Sequence, residues 1–376
     1  MLADGARAVV GPAPVAWAED IAYGIDDRVS RLVRGGEKPV AYWDVPQASA
    51  PVGSAAEPAP AATTAQSAAT ARSAAAAPGP PPFRLDDVGP MHAIAAAPGD
   101  GTWIVIPDPR RPGDAPAMRK TLIHPDKNRG WSAVSVVAVD LAQVELHLVA
   151  GRHEPESADR AAAQYPRSAV VPTEHHPRLL AVFNGGYKGT HGHYGMKVDG
   201  VTLLPPRGFA CAVARYDDGR IVVRPWEEIA PTEPRMRWWR QTPKCMYDAG
   251  KPHVALDAPN DSWGSTVASG TVIRRSAIGL DRDGRVLYVG IADWVTAAAL
   301  AHAMKHAGAH DVAQLDVNFS YPKLLLFEPR APGSPDLVAR PLTKHFEFGE
   351  DDYVRVPHSR DFFYLTRKAE GPEPPK

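Results

Sequence analysis

The polar residues best placed for chemistry stand at the ends of, or inside, apolar runs: Asn184, Arg275, Asp293 and Asp316. Asp293 and Asp316 are each the first acid after an apolar stretch. Two carboxylates on one rim could supply the acid and the base that cleave a sugar bond; the structural alternative is that one caps a helix and the other a turn. Arg275 sits among Ala277, Ile278 and Leu280, where a guanidinium needs a carboxylate or a phosphate partner. That partner is a bound anion or Asp293, and the two are compatible. Asn184-Gly185-Gly186 closes another apolar run. Glycines there let the backbone approach a ligand, or simply turn tightly with Asn184 in a left-handed conformation. His191 and His193 flank Gly192 without an obvious third ligand nearby, which favours two surface histidines over a metal site. No cofactor is required by any of these residues.

For these side chains to meet, the segments that carry them must share one sheet. Runs 134–139 and 144–149 read as a hairpin, and 179–183 as a third strand ending at Asn184. Segments 209–216 and 221–223 flank Asp217-Asp218-Gly219, and 272–280 and 285–291 flank Asp281-Arg282-Asp283-Gly284, which predicts two further hairpins. After the strand ending at Asp293, Thr296 is a good N-cap for a helix over 297–307, with Leu300, Met304 and Ala307 on one face and Gly308 ending it. The run 312–315 then leads into Asp316. If both strands lie parallel, their carboxyl ends share one edge and gather Asp293, the helix N-terminus and Asp316 there. The implied class is α/β (mixed α+β): a mixed β-sheet with hairpins and at least one strand–helix–strand crossover, helices flanking the sheet.

The chain as a whole narrows the partners. Proline, 39 of 376 residues, is about twice its usual share and is concentrated before residue 120. A formal net charge of −1, with basic and acidic residues interspersed, excludes the basic patch of a nucleic-acid binder. No run approaches the ~18 apolar residues of a membrane span. Residues 1–47 form an N-terminal segment with a short helix over 19–34 and a signal-peptidase-like Ala16-Trp17-Ala18, whose preceding apolar run is short and proline-broken. Residues 48–82, nearly all Ala, Pro, Ser, Thr and Gly, read as a disordered linker. Residues 83–131 are an irregular lead-in, 132–330 the main domain, and 331–376 an extension packing on it through its aromatics, with a frayed end. Cys211 and Cys245 lack metal-type spacing; they form one disulfide in an oxidising compartment or remain two buried thiols. The expected location is periplasmic or secreted, with association to the cell envelope.

The order of these motifs resembles the phosphodiester glycosidase family. The resemblance rests on Ala181-Val182-Phe183-Asn184-Gly185-Gly186-Tyr187, on Gly195-Met196-Lys197-Val198-Asp199-Gly200, and on Arg275-Ser276-Ala277-Ile278-Gly279-Leu280-Asp281 with the apolar strand that reaches Asp293. It implies a carbohydrate or sugar-phosphate ligand. Arg275 would hold the phosphate, Asp293 and Asp316 would act as acid and base, and Asn184, Gly185 and Gly186 would orient the sugar. Tyr187, Thr296, Asn318 and Ser320 would join the binding set, with His191 and His193 in the loop beside it. Two departures stand out. The family's aspartate-glycine pair after the second strand is Asp293-Trp294 here, and its terminal L-D-G-G-G-S is Leu315-Asp316-Val317-Asn318-Phe319-Ser320. Three glycines would let backbone N–H groups close on a ligand; Val317 and Phe319 stiffen and fill that loop. The site therefore acts on an altered substrate, or binds without turnover.

Overall fold

The computed structural model describes residues 83–369 apart from 158, 258–262, 265–271, 319–320 and 344–345. The helix expected over 19–34, the signal-like segment, the linker 48–82 and Ser320 lie outside the described residues.

Three antiparallel sheets organise the chain. The largest runs in the order β1 (Ile104–Ile106), β2 (Met118–Ile123), β3 (Val134–Asp140), β14 (Val286–Val295), β13 (Ile273–Leu280), β15 (Asp311–Val317), β11 (Cys245–Asp248), β12 (Lys251–Pro252). The second is β17 (Leu337–Pro341), β16 (Leu324–Pro329), β5 (Leu179–Asn184), β18 (Phe362–Arg367), β4 (Val144–Val149). The third is β7 (Val201–Leu204), β6 (Met196–Val198), β10 (Met236–Thr242), β8 (Cys211–Tyr216), β9 (Ile221–Pro225).

Among the described residues α-helix is limited to α1 (Arg160–Ala163), α2 (Trp226–Ile229) and α3 (Ala297–His306). This overturns the α/β class: the molecule is mostly antiparallel β, and no helical layer flanks a mixed sheet. The cause lies in burial. All eight residues of β13 and six of the seven in β3 are buried, so these strands read as the unbroken apolar runs typical of parallel sheets. Here the double coverage has another origin. On one face Leu300 and Met304 of α3 pack with Val136, Ala277 and Val312. On the other, Val137, Ile278 and Leu315 pack with Phe183 and Phe363 of the second sheet and Val213 and Trp238 of the third.

Helix α3 connects β14 to β15, and β13 lies between them, antiparallel to both. The ends of β14 and β15 and the start of β13 therefore meet at one edge. The hairpins β8–β9 and β13–β14 form as the turn residues predict. The expected pairing of 134–139 with 144–149 does not form. β3 pairs with β2 and β14, whereas β4 pairs with β18 in the second sheet. The Asp140 carboxylate accepts the Ala142 N–H, making this turn a corner between sheets. Apolar alternation sets which face of a strand is buried but not its partner.

The stretch read as an irregular lead-in supplies β1 and β2, and the stretch read as a packing extension supplies β17 and β18. β18 lies between β5 and β4, inside the second sheet. Cys211 and Cys245 form a disulfide with Cα atoms 4.8 Å apart, fastening the third sheet to the first.

Candidate functional site

The site forms where the end of β5 meets the edge shared by β13, β14 and β15. The Asp316 N–H donates to the Gly185 carbonyl at 3.1 Å, bridging the first and second sheets. Ser276 Oγ donates to the Asp316 carbonyl at 3.0 Å, and Asn184 Nδ2 donates to Ser276 Oγ at 2.8 Å. Asn184, Ser276 and Asp316 are thus joined through one hydroxyl, all three buried.

The Asp316 carboxylate faces Arg360, whose Nη2 lies 2.5 Å from Oδ2. That approach is off the line of a hydrogen bond, so Oδ2 has a charge partner and no aligned donor among the described residues. Asn184 Oδ1 is a second buried acceptor without a hydrogen-bond partner there. Burial pushes the Asp316 carboxyl up to about 7, against the opposing pull of Arg360. A carboxyl tuned to neutral pH can both take and give a proton under physiological conditions. The Arg360 guanidinium also donates to the Gly186 carbonyl at 3.3 Å and lies over the Tyr321 ring at 4.2 Å.

The two glycines have a reason of their own. Asn184 is the last residue of an extended strand and is not left-handed. A Cβ on Gly185 would meet Asp361 Oδ2 at 2.1 Å and the Asp361 carbonyl at 2.5 Å; one on Gly186 would meet Arg240 Cζ at 2.6 Å. The glycines make room for an ion pair. Asp361 binds Arg240 through both oxygens, at 2.9 Å to Nε and 3.1 Å to Nη2, and takes the Gly186 N–H at 2.9 Å. Arg240 also holds the carbonyls of Tyr187 and Tyr194. This buried bidentate pair fixes the course of the chain after Asn184.

Two adjacent arginines divide their work by strand alternation. Arg274 pairs with Asp293 through Nε at 2.5 Å and Nη2 at 3.1 Å, and its guanidinium lies over Phe346 at 4.3 Å. The partner considered for Arg275 thus belongs to Arg274. Arg275 donates instead to the carbonyls of Val295, Trp263 and Gly264 and to Gln314 Oε1. The Trp263 carbonyl also accepts from Tyr187 Oη and Gln314 Nε2. Burial lowers Arg275 to about 10, and its polar contacts tie a loop to the sheet edge.

Thr296 caps α3, its Oγ1 accepting the Ala299 N–H at 3.1 Å; that is the structural use of this hydroxyl. His191 and His193 lie in the loop after Gly189, both exposed. Partial covering, then Arg360 and Lys188, hold His191 below the usual imidazole value, which places this loop within electrostatic reach of the Asp316–Arg360 pair. Among the described residues no three His, Cys, Asp or Glu side chains gather in a way that could hold a metal ion. Asn318 follows β15 with φ 142°, and Trp294 follows Asp293 with φ 58°. Both occupy positions where the resemblance expects glycine, and both keep a backbone that glycine adopts most easily.

Sequence reasoning missed Arg240, Arg274, Ser276, Arg360 and Asp361. Arg360-Asp361 carried a usable signal, since they adjoin the apolar run 362–365 as Asp293 adjoins its own. Arg274 and Ser276 flank Arg275 at the alternate positions of one strand. Arg240 had no comparable sign, because its function depends on an aspartate far along the chain.

No family model matches the chain, and no curated protein matches it. Several solved structures are similar to it, among them these two. One is the catalytic domain of zebrafish N-acetylglucosamine-1-phosphodiester alpha-N-acetylglucosaminidase, auto-inhibited by its pro-peptide: 17% identity, 68% of this chain and 85% of that chain covered, TM-score 0.43. The other is a hypothetical protein from Synechocystis: 10% identity, 67% of this chain and 62% of that chain covered, TM-score 0.37. Each likeness is a distant one.

Proposed function

We propose that the chain is a hydrolase that cleaves a sugar phosphodiester or a related envelope glycan by acid–base catalysis. The carrying observation is Asp316, a buried carboxyl raised to about 7 beside a guanidinium. Asn184 Oδ1 and Asp316 Oδ2, both buried acceptors, suit the hydroxyls of a sugar. Arg360 and Lys188, with His191 nearby, give the site a cationic side suited to phosphate. A phosphate monoester leaves readily, so protonating it contributes little, and the group most in need of help is the attacking water. Asp316 takes a proton from that water as its oxygen bonds to the anomeric carbon and the bond to the phosphate oxygen breaks. Asp293, held by Arg274, lines the edge. The disulfide fits an oxidising compartment, which supports a periplasmic or secreted setting. No helix among the described residues is long and apolar enough to cross a membrane.

Hydrolysis of a chromogenic sugar 1-phosphodiester tests this reading. Turnover is expected to fall as pH drops through about 7, and Asp316→Asn should lower kcat at least about a hundredfold. Absence of turnover by the wild-type protein would overturn it. One observation favours a second reading, a binding module without turnover: the carboxylate of Asp293 is engaged on both oxygens by Arg274. Saturable glycan binding without turnover would select it.

A further inference from the structure

An aromatic path leads outward from the site. The buried Tyr187 ring meets Tyr194 edge-on at 5.8 Å, and Tyr194 meets Phe209 edge-on at 6.4 Å. Phe209 is 51% exposed, one of the few large apolar side chains left open to solvent. Arg207 places its guanidinium 5.0 Å from the centre of that ring. Among the described residues no ion pair is formed by Arg207, and no hydrogen bond by the Tyr194 hydroxyl. One exposed ring would mean little by itself.

This ring is held in place from beneath. Gln241 is fully buried, and its side-chain oxygen accepts the N–H of both Gly195 (3.0 Å) and Arg207 (2.7 Å), while Nε2 donates to the Arg207 carbonyl at 3.0 Å. The neighbouring residue, Arg240, holds the Tyr194 carbonyl at 2.8 Å while bound to Asp361. One buried amide and one buried ion pair therefore fix both loops that carry the platform, and the same ion pair shapes the chain after Asn184. Such preorganisation is the condition under which a surface ring contributes to binding.

We infer that Phe209, Tyr194 and Arg207 form a second subsite, which takes a sugar ring bearing a negative charge on the far side of the scissile bond. An apolar sugar face stacks on Phe209, the Tyr194 hydroxyl meets a ring hydroxyl, and Arg207 meets the phosphate or carboxylate. The inference rests on the hydrolase reading for the scissile bond, but the subsite is measurable without turnover.

The test is binding of glucose 6-phosphate and of glucose to the full chain, followed by NMR line broadening of the ligand and by calorimetry. Wild-type protein should bind glucose 6-phosphate, and glucose more weakly. Phe209→Ala and Arg207→Ala should each weaken glucose 6-phosphate binding by about tenfold, corresponding to roughly 1.4 kcal/mol. Both positions are exposed, so the variants should fold, which circular dichroism checks. Equal binding by wild-type and Phe209→Ala, or no binding of glucose 6-phosphate at millimolar concentration, would overturn the subsite. Binding as expected with no turnover of the chromogenic diester would overturn only the hydrolase reading.

Discussion

Asn318 and Trp294 hold backbones that a side chain resists, at φ 142° and 58°. A residue kept in such a region costs on the order of 1–3 kcal/mol, so Asn318→Gly should stabilise the protein by about 1 kcal/mol, read as a higher urea midpoint. A lower midpoint would show that the amide makes contacts worth more than the strain. Asp316 makes a separate prediction. Its folded value is raised to about 7 from 3.8, so the folded state binds the proton more tightly than the unfolded chain. Its contribution is fully present below about 4 and is lost as pH rises towards 7. His358 acts in the opposite sense: burial lowers it to about 4 from 6.5, and stability is lost as pH falls through that window. The difference in Tm between wild type and Asp316→Asn isolates the first effect. It should shift in favour of the variant as pH goes from 4 to 7 and level off above.

At the scale of elements, β18 and the two residues before it do more than their sequence announced. Arg360 meets Asp316, Asp361 meets Arg240, and Phe362 to Arg367 join β5 to β4. Replacing Asp361 by Asn leaves the Arg240 guanidinium buried without its carboxylate. Losing one partner of a buried pair costs roughly 3–5 kcal/mol, and chemical denaturation should show a loss of that size. Strand β13 shows where sequence was informative. Its turn, its pairing with β14 and the cap at Thr296 were all legible, because local turn and cap chemistry decides them. The choice between Arg274 and Arg275 was not, since alternation alone does not say which face meets the site. The glycines after Asn184 were visible, but their reason was not, because Arg240 and Asp361 are remote in sequence.

For the molecule as a whole, the legible part was the region of Asn184, Asp293 and Asp316; the arrangement of sheets was not. Strands buried on both faces concealed an antiparallel fold, and the corner after Asp140 looked like a hairpin turn. The disulfide spans 34 residues between the first and third sheets. Closing a loop of that length stabilises by about 3.8 kcal/mol in the chain-entropy model. A Cys211→Ser, Cys245→Ser double variant should lose up to that amount in urea unfolding, and reductant should lower the wild-type midpoint while leaving the variant unchanged.

The position of β18 also sets a schedule. Asp361 lies 175 residues after Gly186, whose N–H it accepts. A ribosome must translate nearly all of the described chain before that carboxylate exists. Until then β4 and β5 lack the strand between them and Arg240 has no counter-ion, so the nascent polypeptide cannot assemble the site early. A chain that terminates before Arg360 would lack at once the charge partner of Asp316, the counter-ion of Arg240 and the strand that joins β4 to β5.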